Sequence, residues 1–135
     1  MSVKTPTYNK LSKAARFFKD RDGDGNYCGV IALASVTGLS FGKAARLLRD
    51  KGRVTGRGTQ LQALAKTLEE LGYSVSVNHP IGTPTVRNWA GNNPEGVYMA
   101  ISNGHVATIK DGEIVDHVNG HKCRIITLLR CEAAA

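Results

Sequence analysis

The sequence predicts an α+β domain with an N-terminal helical half packed on a C-terminal antiparallel β-sheet. Apolar residues recur at helical spacing from residue 8 to residue 71, and from Tyr73 onward the period changes to strand-like alternation. With 135 residues, 41% of them hydrophobic and spread along the chain, one core is the expectation and the single domain spans 1–135.

The first helix is expected over 8–19, with Leu11, Ala14, Ala15 and Phe18 on one side and Lys10, Lys13, Arg16 and Lys19 recurring along another as a basic stripe. The run "CGVIALASVTG" has little polar face and suits a short helix buried nearly all round, with Cys28 in its first turn. Ser40 caps a third helix whose Ala44, Ala45 and Leu48 face inward. Thr59 caps a fourth, carrying Leu61, Leu64, Leu68 and Leu71, and Gly52 and Gly72 lie just past the ends of these two. "YSVSVNH", "GVYMAIS", "HVATI", "EIVDHV" and "CRIITLLRC" read as strands, and "TPTVRNWA" as a short helix among them. The similar words "KAARFFKDRDG" and "KAARLLRDKGR" are two amphipathic helices built alike, since a stacked array needs about three units.

Asp20, Asp22, Asp24 and Gly25 match the opening of a calcium-binding loop. Its twelfth position should hold a bidentate glutamate, and here it is Ile31 inside an apolar run, so the stretch reads as a solvated turn. Cys123, His117 and His121 lack a fourth ligand at any common zinc spacing. No metal and no cofactor are expected.

Three cysteines without an export signal point to reduced thiols, so a special cysteine is special for reactivity. In the first turn of a helix, Cys28 faces the positive end of the helix dipole and free backbone N–H groups, which favour thiolate and can later hold an oxyanion. Nucleophilic cysteine chemistry also needs an imidazole and a group to hold it. In "GHVATIKDGEIVDHV", Asp111 and Gly112 between alternating residues are a strong hairpin signal. That turn pairs Lys110 with Glu113, Ile109 with Ile114, Ala107 with Asp116 and His105 with Val118. His105 and Asp116 are then diagonal neighbours on one face, roughly 7 Å apart, while His117 points to the other with Val106. The chain thus offers Cys28 as nucleophile, His105 as base and Asp116 as its orienter.

At "NYCGVIALA" and "GVYMAISNGHVATIKDGEIVD" the chain resembles papain-like cysteine peptidases, in particular bacteriocin-processing peptidase domains and small phage-encoded relatives. The resemblance covers most of the chain. It implies a papain-like fold with Cys28 on the helical half, His105 and Asp116 on the sheet half, and the active site between them. In that family a glutamine some six residues before the cysteine helps to bind the oxyanion. Here Asp22 holds that place, an ionised carboxylate that cannot donate, and Asn26 is the nearest side-chain amide that can. A transglutaminase-like arrangement uses the same three residue types in the same order.

The expected function is therefore cysteine-dependent hydrolysis of a peptide or other acyl substrate. The net charge of +7 supports an alternative, an inactive papain-like fold that binds nucleic acid or an acidic host protein through Lys10, Lys13, Arg16 and Lys19. No apolar run approaches the roughly 18 residues of a membrane span, and the start "MSVKTPTYNK" has no secretory apolar stretch, so a cytoplasmic protein without membrane contact is expected, in host cytoplasm if phage-encoded. Cys123 and Cys131 share strand parity and are expected to face the core, Trp89 to anchor it, and His79 to end a strand. The loop "GRVTGRGTQ" lacks the lysine of a phosphate loop and reads as a connector.

Overall fold

The computed structural model describes residues 10–13, 28–51, 61–102, 105–115 and 121–133. It is an α+β fold. A helical turn at 10–13 precedes α1 (Cys28–Thr37), α2 (Phe41–Asp50), α3 (Leu61–Glu70) and, between strands, α4 (Val86–Asn92). The strands are β1 (Tyr73–Asn78), β2 (Val97–Ser102), β3 (His105–Lys110), β4 (Glu113–Val115) and β5 (Thr127–Ala133). They form one antiparallel sheet in the order β1-β5-β2-β3-β4, with the last strand inserted beside the first.

α1 is buried nearly all round, as its composition requires: Val30, Ala32, Leu33, Ala34, Ser35 and Val36 are all inside. Thr37 ends it by returning its hydroxyl to Leu33 O at 2.7 Å, and Gly38 takes the left-handed conformation at φ 79°, where its N–H bonds Ala34 O at 2.8 Å. The chain bends by 113° into α2, which Ser40 caps by accepting the Lys43 N–H at 3.2 Å. α2 buries Ala44, Ala45 and Leu48, and α3 buries Leu64 and Leu68. Leu71, expected on the same stripe, lies past the end of α3 and is exposed. No single helix among the described residues is long and apolar enough to cross a membrane.

The sheet separates two apolar clusters. Met99, Val106, Leu129 and Cys131 meet the helical half, while Tyr98, Ala100, Ala107, Ile109 and Leu128 meet α4 on the other side. Trp89 packs in the second cluster, edge-on to Tyr98 with ring centroids 5.8 Å apart. The final strand corrects one expectation, because it begins at Thr127 and not near Cys123. The segment before it is held by α4: Val86 N–H bonds Cys123 O at 2.9 Å, and Ile125 N–H bonds Pro84 O at 2.8 Å. These bonds to the helix entry replace a ladder, so Cys123 packs against the α4 cluster and Cys131 belongs to the other.

The β3–β4 hairpin has the register its sequence predicts: Lys110 pairs with Glu113, Ile109 with Ile114 and Thr108 with Val115. Asp111 and Gly112 have φ of 49° and 81°, both positive, as a primed two-residue turn requires. The turn is also tied to the start of β2, for Asp111 N–H bonds Gly96 O at 2.9 Å and its carboxylate accepts the Gly96 N–H at 3.1 Å. A Cβ at Gly112 would lie 3.2 Å from the backbone Cα of Pro94 as well as in a left-handed conformation. Gly112→Ala is expected to destabilise the fold by about 1–2 kcal/mol, measured as a lower urea midpoint. An unchanged midpoint would contradict this turn geometry.

Candidate functional site

α1 lies along β3 in register. Lys110 Nζ donates to Ser35 O at 3.3 Å and Thr108 Oγ1 to Ala32 O at 3.4 Å. Each step of two residues down the strand thus moves three residues back along the helix. The next step carries Val106 to the first turn of α1, and Val106 does lie in the apolar cluster against which Cys28 packs. Cys28 is the first residue of the helix and is half-buried, so its thiol is both shielded and reachable.

Burial by itself would raise the Cys28 thiol, but it is overcome. The His105 side chain hydrogen-bonds Sγ and adds its charge, and the backbone N–H groups of Val106 and Gly29 also donate to it, so the thiol lies below its ordinary value. Cys131 shows the contrast. Its thiol is buried among apolar groups, and although the Met99 backbone bonds it, burial pushes it up to about 12. One thiol is prepared to ionise and the other is kept neutral.

His105 opens β3, where it pairs with Ser102 of β2. Alternation alone would assign it to the α4 side with Ala107 and Ile109. From that first position of the strand its side chain reaches Cys28 at the start of α1. The structure therefore brings together two of the three residues selected from the sequence, Cys28 and His105. The third, Asp116, lies outside the described residues, as do His117, Val118, Asn26, Arg16, Lys19 and the Asp20–Asp24 loop.

Sequence reasoning missed the Val106 N–H. Alternation marks Val106 as facing α1, but the direction of its amide becomes visible only from the ladder. Lys10 and Lys13 are exposed on the helical turn at 10–13, with Leu11 buried between them. His79, at the end of β1, bonds Ile126 O and Thr127 Oγ1, both at 3.3 Å, and so closes the β1–β5 ladder. Among the described residues, no group of three His, Cys, Asp or Glu side chains is placed to hold a metal ion. No protein-family model matches the chain, and no curated protein matches it. The chemistry of the site is accordingly argued from its own geometry.

The two thiol environments give a direct expectation. Iodoacetamide should label Cys28 at a pH below that at which a free thiol ionises and leave Cys131 unlabelled in the folded protein, as read by mass spectrometry of digests. His105→Ala should move the Cys28 profile upward, because it removes the hydrogen bond and the charge while burial stays. An unchanged profile would mean that the imidazole does not act on Sγ.

Proposed function

We propose that the protein is a cysteine-dependent hydrolase acting on a peptide or other acyl substrate, with Cys28 as nucleophile, His105 as general base and acid, and Asp116 as the group that orients the imidazole. The observation that carries the reading is the hydrogen bond between His105 and the half-buried Cys28 Sγ, at a thiol held below its ordinary value. Ionisation leaves a thiolate beside an imidazolium. The thiolate attacks the acyl carbon, a C–S bond forms, and the carbonyl π pair moves onto oxygen. As that oxyanion collapses, the leaving group departs with a proton from His105. Water then attacks the thioester carbon and gives its proton to His105, and the C–S bond breaks to release the acid and restore the thiolate.

The finer reading is a papain-like peptidase or amidase. It is supported by a cysteine opening a buried helix that lies against the histidine's strand, within an α+β fold. The role of Asp116 rests on the hairpin spacing, whose three described pairs agree with the sequence register. The competing reading, an inactive fold that binds a polyanion through its basic surface, has no use for an activated thiol, and for that reason the hydrolase is preferred.

The test is a screen of fluorogenic amide, ester and thioester substrates with the wild-type chain and Cys28→Ala. Turnover by the wild type and its loss in Cys28→Ala is the expected result, and a variant with full activity would end the catalytic reading. Asp116→Asn is expected to depress kcat by about 10²-fold or more and His117→Gln by little, since only the first holds the imidazole. Equal effects would show that the register fails beyond Val115.

A further inference from the structure

We propose that the backbone N–H of Val106, directed at Cys28 Sγ past the last described pair of the β3–β4 ladder, is an oxyanion donor for the acyl group. This inference rests on the cysteine-hydrolase reading. It assigns to the main chain a role that the sequence leaves open, since the place of the usual side-chain donor is taken by Asp22.

The ladder fixes the direction of the amide. In an antiparallel hairpin, alternate N–H groups of a strand point to opposite neighbours. Lys110 and Thr108 occupy the pairs that exchange hydrogen bonds with β4 on either side of the Ile109–Ile114 pair. Val106, two residues on, directs its N–H the same way. The described β4 ends at Val115, opposite Thr108, and the Val106 N–H is given to Cys28 Sγ. The packing of α1 on β3 brings the sulfur there, through the same stepping that joins Ser35 to Lys110 and Ala32 to Thr108.

The oxygen that becomes negative is bonded to the carbon that Sγ attacks, so an acyl group that enters with its carbonyl oxygen turned toward the Val106 N–H brings that oxygen within reach of the donor. In the resting state the Val106 N–H stabilises negative charge on sulfur. On attack the sulfur loses its charge to the new bond and the carbonyl oxygen gains it, so the donor follows the charge with little movement. The Gly29 N–H, in the first turn of α1, also donates to Sγ and so faces the same region. Together they form a main-chain oxyanion site needing neither a glutamine nor Asn26.

The test replaces the Val106 amide by an ester, introducing the α-hydroxy analogue of valine, which removes the N–H and keeps the side chain. Two reactions of Cys28 are then compared above the pH at which its thiol is fully ionised. Acylation by p-nitrophenyl acetate, followed as p-nitrophenolate released in the first turnover and corrected with Cys28→Ala, passes through an oxyanion. Alkylation by iodoacetamide does not. The expected result is a fall of about 10²-fold in the acylation rate with alkylation changed by no more than about twofold. Equal acylation in the two proteins overturns the proposal while leaving the hydrolase reading standing. A wild-type chain that shows no Cys28-dependent release overturns both.

If the ester chain does not fold, the wild-type protein gives the second measurement. Acetaldehyde adds to the Cys28 thiol to give a hemithioacetal, a C–S bond forming as the carbonyl oxygen becomes the alkoxide or hydroxyl. The Val106 amide proton should move downfield in the ¹H–¹⁵N spectrum relative to protein alkylated by iodoacetamide. The same shift in both adducts would overturn the assignment.

Discussion

The seating of α1 on β3 is the constraint from which the rest follows. A helix with almost no polar face has to be covered on every side, and here the sheet covers one side while α2 and α3 cover others. Two polar contacts, Thr108 to Ala32 O and Lys110 to Ser35 O, fix how far along the strand the helix sits. Lys110 supplies a partner for Ser35 O in the last turn, a carbonyl that the helix's own N–H groups do not reach, and Thr108 adds a second donor to Ala32 O. A slip of one residue in either element would separate the first turn of α1 from the first residues of β3, and so Cys28 from His105 and Val106.

Within that arrangement the state of the thiol is a balance between two large effects of opposite sign. Burial disfavours the thiolate, as Cys131 shows when it acts almost unopposed. At Cys28 three donors and one neighbouring charge outweigh it. The partial burial that makes ionisation harder also strengthens each of these donors, since charge–dipole interactions grow as water is excluded. The same seat that activates the sulfur therefore supplies the low-dielectric surroundings in which an oxyanion is best held.

Much of this was legible in the sequence, for identifiable reasons. The Asp-Gly turn set the hairpin register because positive φ at both positions admits few residues, and the pairs from Lys110 to Thr108 agree with it. The Ser40 cap, the short helix within "TPTVRNWA" and the burial of α1 also followed from local chemistry. What local chemistry could not give was any outcome decided by tertiary contact. Cys123 was assigned to the last strand by alternation, whereas hydrogen bonds to the start of α4 hold its segment out of the ladder. The meeting of His105 with Cys28 is likewise set by a partner on another element. The Val106 amide was invisible because a backbone N–H carries no residue identity.

The central claim is that Cys28 and His105 form a thiolate–imidazolium pair, and the most direct test is the thiolate ultraviolet absorbance as a function of pH, taken as the difference between the wild-type chain and Cys28→Ala. The account predicts a thiolate step lying below the range of a free thiol, and its movement upward in His105→Ala, where the hydrogen bond and the charge are lost while burial stays. A step at the position of an ordinary thiol, unmoved by His105→Ala, would contradict it.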